Sequence, residues 1–181
     1  MYCGVDLAVK RKSTIAFYDG KFNGYVVEVD NSGLSQAVRE CDVIAVDSPL
    51  SLGKGYRDFE RCMVKQGLRV FPTSFLRDLY NVAIHTLGER GNMIETHPGS
   101  SRKLGDITVL NAQSKDEVDA ITASLTAFLH SIGCDYEIWG LEGVIHLAYK
   151  VKAVVFLHSG EFTLLRFSFS RACRSSCTSS R

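Results

Sequence analysis

The sequence predicts an α/β fold, a mixed sheet with helices on its faces. Three observations predict it. The chain opens with short β-rich runs joined by tight turns. It goes on to apolar runs that alternate with helical stretches. It also carries one long capped helix, over residues 114–132, with apolar positions at 118, 121, 125, 128, 129 and 132. At 181 residues and 45% apolar, the chain can bury one domain-sized core.

The elements follow in order. Residues 2–9 read as a first strand, closed by the polar turn Lys10-Arg11-Lys12. Residues 13–18 and 24–29 are two further strands around the turn dipeptide Asp19-Gly20, which gives an antiparallel meander. Leu34, Ala37 and Val38 share one face of a short helix over 34–40. Val43-Ile44-Ala45-Val46 is a continuous apolar run, the pattern of a strand buried on both faces in a parallel sheet. It ends at Asp47-Ser48-Pro49, where proline stops the ladder. A Gly-containing loop follows, then a helix over 57–66 closed by Gly67. Ser74 can cap a helix over 75–87 closed by Gly88. Residues 92–96 and 144–149 are later strands. Ser114 and Glu117 form a capping box at the start of the long helix.

Residues 1–150 form the predicted domain. They hold 16 Lys+Arg and 19 Asp+Glu, a net of −3, whereas residues 151–181 hold five and one, a net of +4. The latter are read as a C-terminal extension of unknown role. Within it, 153–157 and 162–169 are expected to form a hairpin, and the Ser/Arg/Cys tract 170–181 is expected to be disordered. The balanced charge gives no global field for nucleic acid. With no apolar run of membrane-spanning length and no secretory pattern at the start, the expectation is a cytoplasmic protein with no membrane partner. The six cysteines, without a CxxC pair, are expected to be scattered reduced thiols.

The chemistry of the sequence lies in its carboxylates. Asp6 stands alone in an apolar strand, and an ionised carboxylate there is costly unless it is paired or binds a metal. Asp47 ends the buried strand, Glu95 ends a later one, and Asp116 and Asp119 open the long helix. Oxygen-rich clusters drawn from neighbouring strand ends suit Mg²⁺ or Mn²⁺. Each acid also has a plain structural reading: a turn residue for Asp47, a rim charge for Glu95, a helix-dipole partner for Asp116. Arg57, Arg61 and Lys65 recur at i, i+4, i+8, a basic stripe that could hold phosphates or simply be a solvated helix face. Lys115 is a further phosphate contact or a surface charge. His97, two residues after Glu95, is a proton-shuttle candidate or an ordinary strand-end histidine.

An ordered series of segments carries a family resemblance: Gly4-Val5-Asp6-Leu7-Ala8, Ala45-Val46-Asp47-Ser48-Pro49, Gly67-Leu68-Arg69-Val70-Phe71-Pro72, Ile94-Glu95-Thr96-His97-Pro98, Lys115-Asp116-Glu117-Val118-Asp119 and Glu142-Gly143-Val144-Ile145. Over about residues 2–147 the chain resembles the domain-of-unknown-function 429 family, which is described as predicted nucleases with a ribonuclease H-like fold. The family pattern expects a proline soon after Ile145, where this chain reads His146-Leu147. The resemblance implies acids on the first strand, the fourth strand and a late helix, here Asp6, Asp47, and Asp116 or Asp119.

The leading expectation is therefore a metal-dependent nuclease or phosphodiesterase, a hydrolase using two metal ions. Asp6, Asp47, Asp116 and Asp119 would be catalytic. Asp6, Asp47, Glu95 and Asp119 would hold Mg²⁺ or Mn²⁺, and Arg57, Arg61, Lys65 and Lys115 would meet a nucleic acid or another phosphodiester. Two other readings stay open. One is an actin-like ATPase or kinase module, in which a homodimer would supply the second domain. The other is a non-catalytic binding module that keeps the fold.

Overall fold

The computed structural model describes residues 1–88 and 90–170. The opening meander forms as the turns dictate. Strands β1 (Tyr2–Asp6), β2 (Ser13–Tyr18) and β3 (Asn23–Val29) pair antiparallel in sequence order. A 3-10 turn, Asn31–Gly33, leads into the short helix α1 (Leu34–Ala37). The apolar run becomes β4 (Val43–Asp47), which pairs parallel to β1, and β5 (Met93–Glu95) pairs parallel to β4. Between them lie α2 (Asp58–Lys65) and α3 (Arg77–Leu87). The latter is preceded by a 3-10 turn at Thr73–Leu76 and has no side-chain cap, so the expected Ser74 cap is not used.

Three unpredicted elements and the placement of the C-terminal hairpin depart from the expectation. The segment after His97 forms a helix, α4 (Pro98–Leu104), and a strand, β6 (Asp106–Leu110), neither of which was predicted. After the long helix α5 (Lys115–Ser131), an unpredicted strand β7 (Tyr136–Gly140) pairs with β8 (Gly143–Leu147) as a separate two-stranded ribbon. The predicted C-terminal hairpin forms as β9 (Val151–His158) and β10 (Glu161–Phe169), but it joins the main sheet. The extension thus supplies two strands of an eight-stranded mixed sheet of order β5-β4-β1-β2-β3-β10-β9-β6. The tract expected to be disordered lies, from residue 171 on, outside the described residues. No helix among the described residues is long and apolar enough to cross a membrane.

The hairpin changes the environment of α5. The spacing of its large apolar residues predicts one buried face, yet residues 119–127 are buried all round. Ile121, Leu125 and Leu129 pack with Val151, Ala153, Val155, Leu157, Phe162 and Leu164 of the hairpin. Small residues on other sides of the helix, Ala123 and Ala127, meet Ala45 of β4 and Ile94 of β5. Its buried hydroxyls are satisfied locally. Thr122 and Thr126 donate to the carbonyls of Val118 and Thr122 at 2.7 and 3.0 Å, and Ser124 donates to Ile121 at 2.8 Å. The opposite face of the sheet, with Cys3, Val5, Ile15, Ile44 and Val46, packs against Leu34 of α1 and Ala83 and Leu87 of α3.

Cys3 and Cys41 form a disulfide between β1 and the segment before β4, so these two are not the reduced thiols the spacing suggested. The sequence pattern could not show it, because the pairing depends on β1 and β4 becoming neighbours.

Gly4 sets the depth of α5. A Cβ there would overlap the Ala120 carbonyl oxygen and the Ser124 amide nitrogen and would stand 2.8 Å from the Ala123 carbonyl carbon. All three are helix backbone, which cannot swing away. Because side chains alternate along a strand, Asp6 lies on the same face as Gly4, towards the start of α5. Gly4→Ala should therefore destabilise the fold by about 3 kcal/mol or more, measured by urea denaturation. A loss under about 0.5 kcal/mol would show that α5 is not seated on this glycine.

Candidate metal centre

Parallel pairing puts β1 and β4 in a register that aligns Gly4 with Ala45 and Asp6 with Asp47. Two acids from distant parts of the chain thus end adjacent strands side by side. The close approach of α5, which Gly4 permits, brings Asp119 to them. One carboxylate oxygen from each of Asp6, Asp47 and Asp119 lies within 4.8 Å of the others, a group able to hold a metal ion. Asp119 is 2% exposed.

The charges around this trio are unequally distributed. Arg102 of α4 and Lys115 both pair with Asp119, the latter at 2.8 Å. Arg11 pairs with Asp116 and reaches Asp6 Oδ2 only at 3.8 Å, beyond hydrogen-bond length. That oxygen is buried and has no hydrogen-bond partner among the described residues. Burial, and then the charges of Asp116 and Asp119, push the Asp6 carboxyl up to about 7. Burial, with Asp6 and Asp119, pushes Asp47 well above the usual carboxylate range. An unpartnered oxygen among all-oxygen donors is the environment that a hard divalent cation relieves.

Beside the acids is a cavity of about 200 Å³ lined by Asp6, Asp47, Arg57, Glu60, Glu95 and His97 together with apolar side chains. His97 caps α4: its Nδ1 accepts the Ser100 amide at 3.1 Å and lies 2.7 Å from the Ser100 hydroxyl. Burial holds its imidazole below the ordinary histidine value, hence neutral near pH 7.

The other predicted residues go elsewhere. Glu95 does not join the trio. Arg57 donates to both its carboxylate oxygens, at 2.5 and 2.8 Å, and the Leu50 amide donates to it at 2.8 Å. Arg57 is 2% exposed and also binds Glu60 at 2.7 Å, while Thr73 donates to Glu60 at 2.8 Å. It is therefore a buried structural cation, not the first member of a solvated stripe. It precedes α2 rather than lying on it, and the two glutamates draw it inward. Arg61 pairs with Asp58 at 2.5 Å, and Lys65 stays exposed at the end of α2, away from the cavity lining. Glu142 accepts from the Asp58 amide at the start of α2, at 3.1 Å. Arg102 had no sequence signal, since the helix that carries it was not predicted. A second mixed group, His130, Asp135, Glu137 and His146, was also missed.

The chain matches no family model, no curated protein and no solved structure.

Two outcomes follow. Because the folded Asp6 holds its proton up to about 7 against an ordinary 3.8, the folded state binds more protons than the unfolded chain between these values. Stability of the metal-free protein should then fall as pH rises through that window. Asp6→Asn should match wild type near pH 4 and exceed it at pH 8 by on the order of 1–2 kcal/mol, read from denaturation curves. Arg57→Ala should cost about 3–5 kcal/mol by the same measurement, because it leaves Glu60 and Glu95 buried without a cation.

Proposed function

We propose that the chain is a divalent-metal-dependent phosphodiesterase of the ribonuclease H-like type, acting on a small ester rather than tracking a polymer. The convergence of Asp6, Asp47 and Asp119 around an unpartnered buried carboxylate oxygen carries this reading. The strand order β3-β2-β1-β4-β5 supports the ribonuclease H-like part. So does the distribution of the acids over β1, β4 and α5, which is what the family resemblance implies.

The donors are all carboxylate oxygens, which favours Mg²⁺ or Mn²⁺ over softer ions. Such an ion supplies polarisation of a phosphoryl oxygen and acidification of a water. The chain's own residues do the rest. Asp6 and Asp47, fixed side by side by the sheet, would hold the ion, and Asp119 would complete the set from the helix. Lys115, mostly exposed and anchored on Asp119, presents an ammonium to an incoming phosphate. His97, held neutral on the cavity wall, can accept a proton. Arg57, Glu60 and Glu95 keep the wall rigid.

The preference for a small ester comes from the surroundings. The cavity of about 200 Å³ is walled in part by Leu7, Met63, Val70, Leu76 and Leu79. The basic stripe that would track a polymer backbone is missing, because Arg57 is buried and Arg61 is paired.

The test is hydrolysis of bis(p-nitrophenyl) phosphate and of a single-stranded oligonucleotide, each with Mn²⁺, Mg²⁺ or EDTA. Metal-dependent turnover of the small diester is expected. Asp6→Asn and Asp47→Asn should each lower it by on the order of 10³-fold while keeping the far-ultraviolet dichroism of wild type. Wild-type rates in Asp6→Asn would remove the mechanism, and exclusive cleavage of the oligonucleotide would overturn the substrate class.

A further inference from the structure

A second constellation lies where α5 ends and the β7–β8 ribbon begins. His130 sits in the last turn of α5, Asp135 in the link that follows, Glu137 on β7 and His146 on β8. Glu137 and His146 are directly paired across the ribbon. His130 Nδ1 and His146 Nδ1 approach the same oxygen, Asp135 Oδ2, at 3.1 and 2.6 Å. The two imidazoles meet edge to face with centroids 4.5 Å apart. Asp135 and His146 are 3% and 5% exposed. One donor atom from each of the four residues lies within 4.8 Å of the others.

We propose that His130, Asp135, Glu137 and His146 form a binding site for a borderline divalent transition metal of the Zn²⁺ class, chemically distinct from the all-carboxylate trio. Two imidazoles and two carboxylates are a donor set suited to such an ion, and Mg²⁺ would disfavour the nitrogens. Tetrahedral donors about 2.0–2.2 Å from an ion stand roughly 3.4 Å apart. The two hydrogen-bonded separations, 3.1 and 2.6 Å, open by under about 1 Å to reach that spacing, and the remaining donor pairs, within 4.8 Å, close towards it. Tautomer exchange frees either ring nitrogen without changing the charge of the ring. Glu137 Oε2 accepts from the Trp139 indole at 3.1 Å, a supporting hydrogen bond of the kind that orients a ligating carboxylate. The Thr96 hydroxyl donates to the His146 carbonyl at 2.7 Å, which fixes the backbone of that ligand. The ion would clamp the end of α5 to the ribbon. This site stands independently of the proposed hydrolase activity.

The test is titration of the EDTA-stripped full chain with Co²⁺, followed by Zn²⁺. The result expected is the intense visible d–d absorption of four-coordinate Co²⁺, displaced by Zn²⁺ and unchanged in Asp6→Asn. His130→Gln and His146→Gln should each weaken binding by more than the roughly 10–100-fold that loss of a supporting hydrogen bond gives. Should a variant fail to fold, the wild-type imidazole ¹⁵N resonances give the answer alone, since Zn²⁺ must shift both His130 and His146. Absence of the bands together with unmoved imidazole signals would show an ion-pair cluster only and overturn the proposal. Bands lost in Asp6→Asn and kept in His130→Gln would do the same, by placing the ion at the trio.

Discussion

Asp6 and Asp47 occupy the same register at the ends of adjacent parallel strands, and α5 closes over them with Asp119. Two unit charges about 4 Å apart repel by about 4 kcal/mol at an effective dielectric of about 20. Such a group persists in a folded protein only if protons, fixed cations or a metal ion reduce its charge. Arg102 and Lys115 serve Asp119, and Arg11 serves Asp116. Asp6 Oδ2 receives only the distant Arg11, at 3.8 Å, and burial followed by the charges of Asp116 and Asp119 pushes its carboxyl up to about 7. Above that value the protein carries a buried charge that Arg11 offsets only from 3.8 Å, the kind of charge a divalent cation would neutralise.

The fold enforces this juxtaposition instead of merely tolerating it. Gly4 and Ala45 clear the sheet face for α5: the helix backbone at Ala120, Ala123 and Ser124 closes on Gly4, and Ala123 packs with Ala45. The β9–β10 hairpin packs on another side of the helix, so α5 cannot slide to relieve the repulsion at its start. On the cavity's far wall, Arg57 ties α2 to β5 through Glu60 and Glu95. The acids therefore sit on elements fixed independently of any ligand, which is the preorganisation that metal-assisted chemistry needs.

Much of this could be read in the sequence. The meander, the buried parallel strand and the capped long helix follow from periodicity and turn residues, and Asp6 announced itself as a lone charge in an apolar strand. The parts that were illegible depend on contacts distant in sequence. Helix α4 begins Pro98-Gly99 with His97 as its cap, which reads as a loop because proline at a first helical position looks the same as a turn proline. Arg57 looked like the start of a basic stripe, because spacing alone cannot reveal that Glu60 and Glu95 bury it. The His130 and His146 group spans a helix end, a link and two strands, and no local pattern joins them. The hairpin's place in the main sheet was hidden for the same reason: its alternation predicts strands but not the neighbour they choose.

The central claim is that Asp6, Asp47 and Asp119 hold a divalent cation. The most direct measurement is anomalous diffraction at the manganese edge from crystals equilibrated with Mn²⁺ at pH 8, where Asp6 is ionised. A manganese peak bounded by the three carboxylates, with Asp6 Oδ2 among its ligands, is expected. A map with no peak there, and with Asp6 still unpartnered or joined to Arg11, would contradict it.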